Sequence, residues 1–134
     1  MATVTSNKVS AGVMEKALRV GLVAVTAVYS PNGSMSSGDV IQMIKVPVNS
    51  RVVYLRTDYA LSGNGSYTVG DGIDADRYIA ATLGSVSAGS TQINNQSFVP
   101  YTYSADDTID ITLSTSTNPS SGAVYMTAVL TLDP

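Results

Sequence analysis

The strongest constraint on the fold is a strict alternation of apolar and polar residues in several short segments. In residues 108–113 every second side chain is apolar, namely Ile109, Ile111 and Leu113. The residues between them, including Asp110, are polar and are expected to face solvent. A period of two indicates a β-strand with one buried and one exposed face. The last segment, Ala123 to Leu132, has the same pattern.

Similar segments recur along the chain, separated by loops rich in Gly, Pro, Ser and Asn. The segment 51–59 is predicted to direct Val53 and Leu55 to one side and Tyr54 and Arg56 to the other. The loops, including an exposed one at 85–95, are too long for a meander of tight hairpins. The predicted strands cover residues 21–29, 39–46, 51–59, a segment ending at Gly70, 96–103, 108–113 and 123–132, and residues 79–83 fit a strand or one helical turn.

About eight regularly spaced short strands predict an all-β fold, namely a two-sheet antiparallel sandwich of the jelly-roll type. The composition agrees, because Glu15 is the only glutamate while β-tolerant Ser and Thr are abundant. With 134 residues, 44% hydrophobic and 13% charged, the chain is long enough to bury one core.

Residues 1–20 differ from the rest and are predicted to form an amino-terminal arm, followed by a β-sandwich domain at 21–134. Ser10 can cap a short helix in which Met14 and Leu18 share a face with Val13 and Ala17. So short a helix must dock on something to be stable. Two interpretations stay open: the segment lies on its own sandwich, or it reaches a neighbouring subunit.

The segment from Tyr67 to Leu83 contains the most structured turn of the sequence. Gly70, Asp71 and Gly72 form a tight turn, and further aspartates follow closely. Asp71, Asp74 and Asp76 are weak candidates for Ca²⁺ ligands, because their spacing does not fit an EF-hand loop. Turn-forming aspartates, with Asp74 or Asp76 paired to Arg77, explain the same residues without an ion, so no metal is expected.

A second acidic group consists of Asp106, Asp107 and Asp110. Two carboxylates can perform acid–base catalysis if they lie in a cleft and one has a raised pKa. Here the first two precede a strand as a turn and the third falls on its predicted solvent face. A solvated loop is therefore the preferred interpretation.

The chain contains no Cys, His or Trp, which removes thiol, imidazole and most transition-metal chemistry. No enzymatic activity and no cofactor are expected. The net charge of −3 disfavours nucleic acid as a partner. No segment has the roughly 20 apolar residues of a membrane span, and no signal peptide is recognisable, so synthesis in a cytoplasm is expected.

Eight tyrosines against one phenylalanine suit an interaction surface, because tyrosine combines an apolar ring with a polar tip. Tyr54, Tyr125 and Val129 are predicted to point away from the core. Exposed apolar side chains of this kind indicate contact with another chain.

Three stretches resemble small virion structural proteins of tailed bacteriophages: the opening residues 2–9, the segment 37–47 and the turn 69–79. The resemblance implies a capsid decoration (cement) protein, which binds the outer surface of the head and stabilises the shell. It further implies the major capsid protein as partner, a homotrimer, and a location on the capsid surface after synthesis in the host cytoplasm. The net charge and the lack of a long apolar segment predict no nucleic acid and no membrane as partner. The predicted interface residues are Met14, Leu18, Arg19, Tyr54, Arg56, Tyr125 and Val129.

The alternative is a tail or head-fibre component that binds a carbohydrate or a host receptor. Such a module would use the loops at 30–38, 85–95 and 114–122, and its ligand would be a glycan.

Overall fold

Two four-stranded β-sheets enclose one apolar core. The computed structural model of the chain describes residues 2–10, 21–62, 66–80, 89–92, 101–113 and 119–132. One sheet has the strand order β1-β3-β7-β5 and the other has the order β2-β8-β4-β6. The elements are β1 (Thr3–Thr5), α1 (Asn7–Ser10), β2 (Gly21–Tyr29), β3 (Val40–Val46), β4 (Ser50–Leu61), β5 (Tyr67–Gly70), β6 (Gly89–Gln92), β7 (Asp107–Leu113) and β8 (Gly122–Leu132).

This architecture confirms the predicted all-β sandwich of about eight strands. All strand pairs are antiparallel except that of β1 with β3, which is parallel. The alternating apolar residues supply the core as expected, since those of β7, and those of β8 from Val124 to Leu130, are almost fully buried. The largest buried side chains are Tyr78, Tyr103, Ile41, Met43, Ile44, Leu55, Ile79, Ile109, Leu113, Met126, Leu130 and Val46.

The first residues of the chain add a strand to one sheet. The amide of Val40 donates to the carbonyl of Ala2 at 2.8 Å, and the fully buried Ser6 hydroxyl donates to the carbonyl of Met43. Residues 2–10 thus lie on the chain's own sandwich, as one of the two interpretations of the amino-terminal segment requires. The predicted helix falls on residues 11–20, which lie outside the described residues, so the division into an arm and a sandwich stays a prediction.

A β-bulge in β4 changes which residues face solvent. The pairing of β4 with β8 shifts register between Val52 and Tyr54. Because the bulge adds one residue to β4, Val53 and Tyr54 are both exposed while Val52 and Leu55 are buried. The prediction that Val53 points inward with Leu55 was therefore wrong, and the outward orientation of Tyr54 is as predicted.

One predicted loop and one predicted strand also need correction. Residues 89–92, inside the loop predicted at 85–95, form β6 and pair with residues 56–59 of β4. Residues 101–103, at the end of the strand predicted at 96–103, make only an isolated bridge between Thr102 and Arg51. The remainder of that predicted strand lies outside the described residues. Ile79 forms an isolated bridge with Val69, and residues 81–83 of the element predicted at 79–83 lie outside the described residues.

Candidate docking surface

The sheet β2-β8-β4-β6 has an outer face, on the side away from the core, that carries several exposed apolar side chains. Leu22 is 69% exposed, Val53 48%, Tyr125 47% and Tyr54 37%. Single exposed apolar residues are common on proteins, but a cluster of them on one sheet face is typical of an interaction site. This outer face is the best candidate for a functional surface in the described part of the chain.

Strand register brings these residues into rows. Tyr54 lies opposite Val129, which in turn lies opposite Ala24. Directly paired residues of neighbouring antiparallel strands point to the same side, so the three side chains form one apolar row. Tyr125 is the centre of a second row, between Val28 and Asp58.

Between the two rows, polar side chains bond with one another within the face. The hydroxyls of Thr26 and Thr127 lie 3.1 Å apart, across β2 and β8. On β4 the guanidinium of Arg56 contacts the carboxylate of Asp58 at 2.7 Å. The hydrogen bond with Asp58 raises the pKa of Arg56. The charges of Arg56 and Asp58 thus compensate each other within the face, while Arg51, in the row of Leu22, bonds with the hydroxyl of Thr102.

The structure therefore brings together four of the seven residues predicted as an interface: Tyr54, Arg56, Tyr125 and Val129. The other three, Met14, Leu18 and Arg19, lie outside the described residues. Leu22 and Val53 were not predicted. The alternation in residues 21–29 placed Leu22 opposite the buried side chains and could have identified it, whereas the exposure of Val53 depends on the bulge.

The turn after β5 holds a buried carboxylate whose oxygens are bonded within the chain. The side chain of Asp71 is fully buried, and its Oδ2 accepts hydrogen bonds from Arg77 Nε at 2.5 Å and from the Tyr103 hydroxyl at 2.9 Å. Its Oδ1 accepts from the backbone amides of Ile73 and Asp74. With its oxygens used in this way, Asp71 is not available as a cation ligand.

The ion pair of this turn differs from the one predicted. Arg77 pairs with Asp71, not with Asp74 or Asp76, because the chain folds back between residues 71 and 77. Asp74 instead accepts a hydrogen bond from the amide of Asp76, as turn-forming aspartates do. In the described residues, no group of three or more acidic side chains is arranged to hold a metal ion.

Aromatic residues surround this ion pair. The guanidinium of Arg77 lies 3.8 Å from the centre of the Tyr101 ring, and the rings of Tyr101 and Tyr103 meet edge to face. The hydroxyls of Tyr78 and Tyr103 lie 2.7 Å apart. Burial opposes the ionisation of Asp71, but its hydrogen bonds, first of all from Arg77, outweigh burial and hold its pKa below the usual value. Burial raises the pKa of both Tyr78 and Tyr103.

Asp110 is buried, contrary to the prediction that it faces solvent. Burial raises its pKa to about 6, although the hydrogen bond from the Thr108 hydroxyl, at 2.7 Å, acts in the opposite direction. The other members of the predicted acidic group have structural partners: Asp106 accepts from the amide of Val48, and Asp107 from that of Thr108. Asp106 thus lies in the loop before β7, as predicted, whereas Asp107 is the first residue of the strand and not part of the predicted turn.

Of the three predicted recognition loops, the one at 30–38 is fully described, and those at 85–95 and 114–122 are described in part. Residues 32–35 border an open cleft of about 460 Å³, which Val4 and Tyr29 also line. Residues 85–88, 93–95 and 114–118 of the remaining loops lie outside the described residues. In the described part of the chain, no helix is long and apolar enough to cross a membrane.

No family model and no curated protein matches the sequence. Two solved structures share its fold over nearly the whole chain. A chain in the capsid of Ralstonia phage GP4 is 12% identical with a TM-score of 0.81, over 98% of this chain and 99% of that one. A chain in the cyanophage Pam1 capsid asymmetric unit is 15% identical with a TM-score of 0.71, over 89% and 90%. The resemblance to phage virion structural proteins is thus confirmed at the level of the fold.

Proposed function

We propose that the chain is a bacteriophage virion protein of the capsid decoration type. It binds the outer surface of the assembled head, with the major capsid protein as its partner, and stabilises the shell. The observation that carries the proposal is the match, over nearly the full length of both chains, to chains of two phage capsids.

The outer face is the part of the described surface that suits contact with a shell. Its large exposed side chains are apolar or aromatic, and Arg56 and Asp58 neutralise each other. The register also places Arg51 on this face, where its guanidinium bonds with the hydroxyl of Thr102. An interface of this kind gains from burying apolar surface, and the neutral pair costs less to desolvate than two separate charges would. Many identical subunits add modest individual contacts to a large total stabilisation of a shell.

A binding experiment tests the outer face directly. Heads of the phage that encodes this chain, prepared without this protein, are mixed with the Tyr54→Lys/Tyr125→Lys variant and sedimented. We expect at least a tenfold loss of binding relative to the unmodified chain, because two ammonium groups would have to be desolvated at the contact. The matched control is Ile73→Lys/Ser104→Lys, which adds the same charge at exposed positions outside the outer face.

The control variant should bind as the unmodified chain does and should raise the temperature at which heads release DNA. Binding of the outer-face variant at full strength would exclude this face as the contact. Failure of the unmodified chain to bind heads at all would refute the decoration function itself.

The amino-terminal contribution is a separate proposal. Met14, Leu18 and Arg19 are expected to contact a neighbouring subunit or the shell. Deletion of residues 1–20 is a poor test, because it removes β1 and the buried Ser6. The triple alanine variant at residues 14, 18 and 19 leaves both in place. Unchanged head binding and unchanged self-association by that variant would remove these residues from the interface.

Because the resemblance implies a homotrimer, the proposal includes the association of three chains. Light scattering after gel filtration measures the mass in solution, and a mass of three chains is the expected value. A glycan array with the same protein tests the alternative function, since reproducible binding of a sugar would favour receptor recognition over stabilisation of the shell.

A further inference from the structure

The four edge strands of the sandwich differ greatly in length. β1 has three residues and β5 and β6 have four each, whereas β2 has nine. In the part of the chain that the structure describes, β2 pairs only with β8. A long edge strand offers a row of backbone donors and acceptors to another strand.

β2 also lacks the features that normally prevent such pairing. Residues 21–29 contain no charged residue and no proline, and their register with β8 runs from Gly21 to Tyr29 without a bulge. Natural edge strands are usually shortened, charged or interrupted, which keeps them from pairing with other chains. β2 is the longest edge strand and has none of these three protective features, which indicates that it pairs with another strand.

Asn7 shows which backbone groups of β2 point outward. Its side-chain carbonyl accepts a hydrogen bond from the amide of Val28 at 2.9 Å. Because successive residues of a strand direct their backbone groups to opposite sides, those of Leu22, Ala24 and Thr26 point to the same free edge as that of Val28. Among the described residues, none pairs with these three positions on that edge.

We propose that two copies of this chain pair through the free edges of β2, antiparallel and about a two-fold axis at Ala24. In this register Ala24 lies opposite Ala24 of the second copy, and Leu22 lies opposite Thr26. It is the register that uses all three outward positions in both copies. The two sheets β2-β8-β4-β6 then form one continuous eight-stranded sheet.

The side chains favour a second copy as the occupant. An antiparallel copy brings no like charges together, since residues 21–29 carry none. The residue on the axis is alanine, the smallest side chain on this part of the outer face, so the two backbones meet without a clash. The exposed Leu22 packs beside the methyl group of Thr26, and Asn7 ends the pairing at Val28.

The contact does not depend on the decoration function, because it is a property of the protein in solution. It is compatible with three-fold association at another surface, and the particle contains six chains if the two axes intersect at right angles. Pairing also places the outer faces of two copies side by side and doubles the surface available to a shell.

Cysteine substitution tests the register, since the chain has no cysteine of its own. Opposed residues in a hydrogen-bonded antiparallel pair have Cα atoms about 5.5 Å apart, within the range that a disulfide spans. The Ala24→Cys variant should therefore form disulfide-linked dimers under mild oxidation. Leu22→Cys is the matched control: it is more exposed, but the two copies of residue 22 would be about 14 Å apart, four residues along the strand.

We expect Ala24→Cys to cross-link at least tenfold faster than Leu22→Cys. A mixture of Leu22→Cys with Thr26→Cys should give mixed dimers at a rate similar to that of Ala24→Cys. A short bismaleimide reports the same proximities without the dihedral requirement of a disulfide, and thermal melts verify that all three exposed positions tolerate the change. Equal rates for Ala24→Cys and Leu22→Cys with both reagents would overturn the proposal, as would pairing of β2 with a strand of a different protein.

Discussion

Asp110 of β7 lies directly opposite Gly70 of β5, and the backbone of residues 74–75 passes over the sheet at that point. A Cβ atom at Gly70 would overlap the carbonyl oxygen of Asp74. Because directly paired residues point to the same side of a sheet, the turn that covers Gly70 also shields Asp110 from water. One close approach of backbone to backbone thus explains both the glycine and the buried carboxylate.

The first prediction concerns this close approach. The Gly70→Ala variant should lose about 3 kcal/mol of unfolding free energy, because the new methyl group meets backbone that cannot move aside cheaply. Gly72→Ala is the matched control, since its Cβ would lie 3.0 Å from a side-chain oxygen of Asp107, which can shift. Urea titrations followed by tyrosine fluorescence measure both. A loss at Gly70 no larger than at Gly72 would contradict the close approach.

The second prediction concerns the pH dependence of stability. The pKa of Asp110 is about 6 in the folded chain against an ordinary 3.8, so the folded state binds more protons than the unfolded state between these values. The unfolding free energy therefore falls as pH rises from about 4 to 6, by roughly 2–3 kcal/mol from this group. The Asp110→Asn variant should remove the fall and be more stable than the unmodified chain at pH 7.5. If the unfolding free energies of the two proteins change equally with pH between 4 and 7.5, the prediction is wrong.

The third prediction concerns the buried ion pair. Replacing Arg77 with Met leaves the Asp71 carboxylate buried without its cation, which should cost about 3–5 kcal/mol of unfolding free energy at pH 7. The exposed pair of Arg56 and Asp58 provides the comparison, since Arg56→Ala should change stability by less than about 1 kcal/mol. Denaturant titrations distinguish the two. Adding Asp71→Asn to Arg77→Met should recover part of the lost unfolding free energy. If nothing is recovered, Arg77 does not act by compensating the charge of Asp71.

The same pair predicts how the chain responds to acid. The folded pKa of Asp71 is lowered, so the stability that it contributes is present above its unfolded pKa and is lost as pH falls through the lower folded value. As pH falls from about 6 to 4, the unfolding free energy rises because of Asp110. Below about pH 4 it should decrease, because the Asp71 carboxylate becomes protonated. In the Asp71→Asn variant this acid limb should be shallower.

The fourth prediction separates the two buried tyrosines. Tyr103 donates to Asp71 and lies within hydrogen-bond distance of Tyr78, so Tyr103→Phe should cost about 1–3 kcal/mol. Tyr78→Phe should cost less, because the bond from Tyr103 to Asp71 remains. Thermal unfolding of the two variants decides the order. Equal losses would mean that the bond to Asp71 contributes little.

Much of the sandwich follows from the sequence because strand identity rests on local alternation. For that reason the strands predicted at residues 21–29, 108–113 and 123–132 are correct. The bulge at Val53 could not be predicted, because it depends on how β4 pairs with a strand about 75 residues later. β6 was missed because its Gly-Ser-Thr-Gln sequence lacks apolar residues and owes its extended form to the edge of β4.

The errors at charged residues have a different cause. Asp110 has the sequence pattern of a solvent-facing strand residue, and only the turn at 74–75 buries it. Arg77 had three aspartates within reach in the sequence, and the pairing with Asp71 depends on how the turn closes. For the outer face, alternation located Tyr54, Tyr125 and Val129, but the rows that they form required the register between strands.

The unequal edges of the sandwich bear on how far an assembly of this chain can grow. The long edge β2 pairs with its copy in the proposed two-fold contact, and on the opposite edge of the same sheet the described residues form the four-residue strand β6. In the described part of the chain, each outer edge of the combined sheet is therefore short. Polymerisation into a fibril has no comparable template to continue from, so the geometry terminates at a discrete particle.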